Sequence, residues 1–199
     1  MNNYCSPLSL NLPLFLTDLP EVEFLKSHSV WADNRVTNRL KAKHFQIKEE
    51  NIHPSLKLFF DEKKLYIGLI EVFYCFPYDI TSIHSDRAMP GDFAKINWIF
   101  GGKDSLMNWY KVLTEAPNKS VHKTPIDSPS LQYKAEEVEL IYRCNINQPS
   151  IVQVGCPHNI VNMSEERFCV SLVFKHKSNN SRVTMNESLN IFKDYIIQN

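Results

Sequence analysis

Glycine is scarce in this chain: five residues in 199. No Gly-x-Gly-x-x-Gly or Gly-x-x-x-x-Gly-Lys-[Ser/Thr] run is present, so both glycine-rich loops that cradle phosphates are missing, and nucleotide enzymes of those two types are excluded. Collagen-like and glycine-linker architectures fall by the same count. Net charge is also lacking, since 22 Lys and Arg cancel 22 Asp and Glu. A binder that neutralises nucleic-acid phosphates needs a cationic surplus, which is absent, and there is no acidic tail. Paired cysteine motifs are missing too. Cys5, Cys75, Cys144, Cys156 and Cys169 are odd in number and contain no Cys-x-x-Cys spacing. Neither a disulfide framework nor a thiolate zinc site is expected; reduced, partly buried thiols in a cytoplasmic protein are. No apolar run approaches the ~20 residues that span a bilayer. The stretch from Leu8 to Leu16 is short and broken by Pro13, and no basic region precedes it, so no signal peptide is expected.

What is present suits a globular domain: 43% apolar and 22% charged residues. A chain of this length buries enough surface to need no covalent staple. The reading is one domain, 1–199, with a largely helical N-terminal extension over 1–62, a β core over 63–175 and a C-terminal helix over 186–197. Residues 5–20 are proline-punctuated and extended. Asp33-Asn34 caps a helix running through Val36, Leu40 and Lys43, which makes Lys41-Ala-Lys-His a solvated helix face. Leu56 to Glu62 is a short helix.

From Leu65 the texture changes. Leu65–Phe76, Ile80–Asp86, Ala94–Phe100, Ser105–Leu113, Glu137–Cys144, Ser150–Gly155 and Phe168–Phe174 are rich in aromatic and β-branched residues and separated by turns, with a polar loop over 114–130. Such regular spacing of short strands predicts a sandwich, jelly roll or barrel. In the tail, Leu189, Phe192, Tyr195 and Ile196 fall on one helical face.

One constellation carries chemistry. Ile83-His84-Ser85-Asp86 sits on an expected strand, where residues i and i+2 share a face, so imidazole and carboxylate project together. His158, in Gly155-Cys-Pro-His-Asn-Ile-Val-Asn, follows another strand and supplies the third donor of a two-histidine, one-carboxylate facial triad of the kind that holds Fe(II) with open positions. On the next strand Arg167, Cys169, Ser171 and Val173 share one face. An arginine heading the inner face of a barrel requires an anion there, and its planar fork suits a carboxylate.

These residues resemble the 2-oxoglutarate- and Fe(II)-dependent oxygenases, whose core is a double-stranded β-helix of jelly-roll, cupin-like type. The pattern is His-x-Asp, a distal His, then a basic residue about ten positions on. Here 74 residues separate His84 from His158 and nine separate His158 from Arg167. The local texture is most similar to the aspartyl/asparaginyl β-hydroxylase-like branch, through Ile83-His-Ser-Asp, Lys95-Ile-Asn-Trp, Asn108-Trp-Tyr and Pro157-His-Asn-Ile-Val-Asn. Small phage-type oxygenases are also similar. The resemblance covers about residues 65–175.

The resemblance implies a mainly β fold with flanking helices and an Fe(II) site made by His84, Asp86 and His158. It implies 2-oxoglutarate as cosubstrate, its distal carboxylate on Arg167 with help from Ser171, and O2 as co-reactant. Asn97 and Tyr74 are further candidate cosubstrate contacts; Trp98, Trp109 and Tyr110 either line the cavity or pack outside it. The implied activity is hydroxylation of an Asp- or Asn-type side chain, free or in a peptide or protein. Nucleic acid is a disfavoured substrate at zero net charge, and no membrane partner is expected. Two alternatives stand beside this reading: a non-catalytic jelly-roll module, and a cupin-like metalloenzyme without 2-oxoglutarate. The other five histidines, at 28, 44, 53, 122 and 176, are expected in solvated positions.

Overall fold

A computed structural model describes residues 3–29, 42–86, 91–113, 121–123 and 129–198. The N-terminal part holds strand β1 (Cys5–Pro7), helix α1 (Glu21–Ser29), strand β2 (Ala42–Gln46) and helix α2 (Pro54–Glu62). Then come β3 (Leu65–Cys75), β4 (Ile83–Asp86), β5 (Ala94–Gly101), β6 (Leu106–Val112), β7 (Val121–Lys123), β8 (Pro129–Tyr133), β9 (Val138–Asn145), β10 (Ser150–Gln153), β11 (His158–Val161) and β12 (Arg167–His176). Helix α3 (Met185–Ile191) and a 3-10 turn at Lys193–Tyr195 follow.

The strands form two antiparallel sheets. One has the order β1-β10-β5-β12-β3-β2 and the other β7-β8-β4-β11-β6-β9. Eight of these strands, β10-β5-β12-β3 facing β4-β11-β6-β9, make a double-stranded β-helix, because the chain crosses repeatedly between the sheets instead of pairing only with its neighbour. The mainly β fold with flanking helices is therefore present.

The two faces of the first sheet have opposite chemistry. Ile70, Val72, Ile96, Trp98, Phe168, Val170, Leu172 and Phe174 belong to the main apolar core together with Leu56 and Phe60 of α2 and Phe192 beyond α3. Strand alternation turns Glu71, Lys95, Asn97, Arg167, Cys169 and Ser171 the other way, into the space between the sheets. All six are buried. Burying that many polar groups is costly unless each finds a partner, so their partners locate the working part of the molecule.

Local chemistry explains the helices. His53 caps α2, accepting the Ser55 N–H, and Pro54 occupies the first turn, where its missing N–H costs nothing. Thr184 and Glu187 form a reciprocal capping box on α3.

Several expectations change. The stretch before residue 62, expected to be largely helical, also supplies β1 and β2 at the two edges of the first sheet. Residues 42–46 are a strand and not a solvated helix face, because pairing with β3 covers that strand's otherwise open edge. The helix through Val36 and Leu40 lies outside the described residues. The polar loop over 114–130 contributes β7 and the start of β8; the rest of it lies outside the described residues. The C-terminal helix stops at Ile191, earlier than its apolar face suggested, and Leu189 and Phe192 carry its burial. Among the described residues no helix is long and apolar enough to cross a membrane.

Candidate metal centre

The register of the second sheet makes His158 the direct partner of His84 on β4 and of Trp109 on β6. Directly opposed residues on adjacent antiparallel strands point to the same face, so both imidazoles enter the space between the sheets. Asp86, two residues beyond His84, shares that face, and its backbone N–H is held by Val154 O at 2.9 Å. The side-chain donor atoms of His84, Asp86 and His158 all lie within 4.8 Å of one another.

The geometry suits a divalent ion. His84 Nε2 lies 3.6 Å and His158 Nε2 3.9 Å from the same Asp86 oxygen, Oδ1. Two metal–ligand bonds of about 2.1 Å reach at most about 4.2 Å between donors, so both separations can be spanned. Each imidazole has its far nitrogen occupied: Nδ1 of His84 faces Ser82 O and Nδ1 of His158 faces Cys156 O, both at 2.9 Å. With Nδ1–H donating to those carbonyls, the Nε2 lone pairs point inward. Such outer hydrogen bonds orient metal-ligating histidines.

Electrostatics prepares the same donor set. Burial alone raises a carboxyl pKa, but at Asp86 the neighbouring Lys95 ammonium and the two imidazoles outweigh it and hold the group well below the carboxylate range. His158 is pushed down to about 4, first by burial and then by His84. The site thus presents an ionised carboxylate and a neutral His158 at physiological pH, the forms a metal needs. The side chains of His84 and Asp86 are 23% and 17% exposed and that of His158 6%, so the centre is reachable from solvent. An open groove of about 480 Å³ passes Cys156 and Pro157 and is also lined by Tyr4, Tyr110 and Ile141.

Arg167 is 2% exposed. Its Nε donates to Ser105 Oγ at 2.9 Å, and the thiols of Cys75 and Cys169 also contact the guanidinium. None of these partners is an anion. Glu166 turns outward to Lys26 (2.6 Å) and the Tyr74 hydroxyl (2.6 Å), and Glu165 meets the Lys103 N–H, so neither neighbour neutralises Arg167. The strand–turn that admits this side chain depends on glycine. Gly102 has φ +56°, and a Cβ there would lie 2.6 Å from Arg167 Cβ.

Ser171 and Asn97 are cross-strand partners on β12 and β5, and Ser171 Oγ donates to Asn97 Oδ1 at 2.6 Å, both inside the barrel. Tyr74 is a correction. It lies on the face of β3 shared with Ile70 and Val72, packed on Phe76 and Phe168, away from the interior. Trp98 is likewise in the outer apolar core. Trp109 is fully buried, its Nε1 donating to Gln153 O at 2.7 Å. Burial pushes the Cys156 thiol up to about 12, which disfavours the thiolate a nucleophilic cysteine needs.

Three polar residues at this centre were not singled out from the sequence. Lys95 Nζ lies 2.5 Å from Asp86 Oδ2 and also pairs with Glu71 Oε2, and Glu71 Oε1 is 3.6 Å from His44 Nε2. His44, expected in solvent, is only 8% exposed and stacks on Phe73. The available signal was a lone charge inside an apolar strand: Ile70-Glu71-Val72 and Ala94-Lys95-Ile96 each break an otherwise apolar run, as buried partners of opposite sign would.

No protein-family model matches the sequence, and no curated protein matches it. Among solved structures the chain is similar to Peruvianin-I, a cysteine peptidase from Thevetia peruviana latex, at 13% identity over 90% of this chain and 93% of that one, with a TM-score of 0.34. It is similar to oxalate decarboxylase from Bacillus subtilis at 12% identity and a TM-score of 0.32, covering 75% of this chain and 29% of that one. It is also similar to ycfD of E. coli at 13% identity and a TM-score of 0.40, covering 66% and 33%. The chain thus spans about a third of each of the last two. All three scores are low, and the strand order itself carries the fold assignment.

Proposed function

We propose that this protein is an Fe(II)- and 2-oxoglutarate-dependent dioxygenase that hydroxylates an Asp- or Asn-type side chain, free or in a peptide or protein. The observation that carries the proposal is the pairing, inside one barrel, of three convergent metal donors with a buried arginine whose partners are all uncharged. A metal site alone would need no such arginine, and a buried guanidinium is favourable only with an anion to meet it.

In this reading His84, Asp86 and His158 hold the metal, and Arg167 takes the distal carboxylate of 2-oxoglutarate. When bound, the Fe(II)–cosubstrate pair supplies oxidative decarboxylation coupled to hydroxylation. The chain's own residues orient and insulate. Ser82 O and Cys156 O hold the imidazoles with Nε2 inward. The Ser171–Asn97 pair lines the interior between the metal donors and Arg167, where Ser171 can reorient its hydroxyl toward a bound carboxylate. Balanced charge favours a small-molecule or peptide substrate over nucleic acid. Five free cysteines fit a reducing, cytoplasmic setting.

The test is conversion of 2-oxoglutarate to succinate by the purified chain with Fe(II), together with titrations of Mn(II) and 2-oxoglutarate. Binding of both ligands supports the proposal. Metal binding without 2-oxoglutarate binding replaces it with a cupin-like metalloenzyme, and failure of both replaces it with a non-catalytic jelly-roll module.

A further inference from the structure

The Asp86 carboxylate is divided between two environments. Oδ1 faces the two imidazole nitrogens, at 3.6 and 3.9 Å. Oδ2 faces away from them, 2.5 Å from the Lys95 ammonium. That lysine is 3% exposed and is held from behind by Glu71, itself 3% exposed. A Lys buried this deeply persists only because two carboxylates flank it. Lys95 and Arg167, both facing the barrel interior, therefore have different standing: Lys95 is bound by two anions, while the partners of Arg167 are a hydroxyl and two thiols.

A free carboxylate can bind a metal through one oxygen or two. Two-oxygen binding by Asp86 would consume a coordination position that exogenous ligands need. We propose that Lys95, anchored by Glu71, occupies the second oxygen of Asp86 and so confines that carboxylate to a single bond with the metal. Lys95 is thus a positioning residue that keeps coordination positions open. This inference rests on the metal reading of His84, Asp86 and His158, and it makes a prediction opposite to that of a purely structural lysine. The ammonium repels the divalent ion it sits beside, so its removal strengthens metal binding while closing the site to other ligands.

The experiment uses the full chain with Co(II), whose visible spectrum reports coordination number. The Glu71→Gln/Lys95→Met double variant removes the buried charge pair together, leaving no uncompensated Glu71. It is expected to bind Co(II) severalfold more tightly than the wild type, because the ammonium removed sits directly on Asp86 while the Glu71 carboxylate removed with it lies behind that ammonium. Its spectrum is expected to shift, and added 2-oxoglutarate to perturb that spectrum less. Lys95→Arg, which keeps the charge and a donor, is expected to restore wild-type behaviour. Lys95→Gln serves if the double variant does not fold; it leaves the Glu71 charge in place, and is expected to move the spectrum in the same direction and to raise Co(II) affinity further. Co(II) affinity that is unchanged or weaker in the neutral variants, with an unmoved spectrum, overturns the role of Lys95 while leaving the metal site standing. Absence of Co(II) binding to the wild type overturns the metal reading and this inference with it.

Discussion

His84 and His158 are direct cross-strand partners, their ring centroids 4.5 Å apart, although 74 residues separate them in the chain. Their convergence depends on β4 and β11 being neighbours in the second sheet. Replacing either imidazole removes one of three donors. His158→Ala is expected to lower Mn(II) affinity at least about a hundredfold, read by calorimetric titration. In the wild type, Mn(II) at 100 times its Kd is expected to stabilise the fold by about 2.7 kcal/mol, and the variant is expected to lose that gain in thermal unfolding.

Stability of the metal-free protein should fall on acidification in two stages. His158 titrates at about 4 in the folded state, below its ordinary value of about 6.5. Between those values the unfolded chain binds a proton that the folded chain refuses. Stability is therefore full above about pH 6.5 and falls toward pH 4, by on the order of 3 kcal/mol. Glu71 is expected to act below that. Burial would raise its carboxyl, but Lys95 and His44 bring it down to about 2, so its contribution is lost as pH falls from about 4.5 to 2. Urea unfolding across pH checks this; His158→Gln is expected to flatten the upper stage and leave the lower one.

Arg167 and the metal donors should be separable. Arg167→Leu is expected to leave Mn(II) affinity within about threefold and raise the 2-oxoglutarate requirement on the order of a hundredfold, as loss of a charge-assisted pair does. Equal weakening of metal and cosubstrate would mean that Arg167 serves the fold instead.

Tyr74 and Ser171 should behave oppositely. Tyr74→Phe removes the hydrogen bond to Glu166, is expected to cost about 1 kcal/mol at most, and leaves cosubstrate affinity unchanged. Ser171→Ala leaves Asn97 Oδ1 without its buried donor and is expected to cost about 1–2 kcal/mol and weaken cosubstrate binding severalfold. Denaturant unfolding and 2-oxoglutarate titration read the two effects.

Phe60 is fully buried among Phe59, Phe174 and Phe192, where α2 and the segment following α3 meet the first sheet. Phe60→Ala is expected to destabilise by about 3–5 kcal/mol with metal affinity preserved in the folded fraction, since the cavity opens on the side of the sheet away from the metal donors.

Much of this molecule was legible before folding was considered. Strand texture and turn spacing located the β core because a half-buried strand must alternate and must end at a turn. His84 and Asp86 were readable as one unit because i and i+2 share a face. The same alternation turned Arg167 and Ser171 to one side of β12 and Phe168 and Val170 to the other. Tyr74 could have been excluded by that rule, since it shares a face with Ile70 and Val72 and not with Glu71. Residues 42–46 were misread because a five-residue edge strand carries little pattern of its own; β3 supplies its partner.

Sequence alone determined the donor types, their spacing, the absence of phosphate loops and the alternation that sends each side chain to one face. Only the tertiary structure decided which strands become neighbours. Strand pairing is a long-range choice, made by burying the apolar face of one sheet under helices and closing the polar face against the other. That closure brought Lys95 to Asp86, and strand order within the first sheet brought Glu71 to Lys95 and His44 to Glu71, a chain of contacts across four strands that no local spacing encodes.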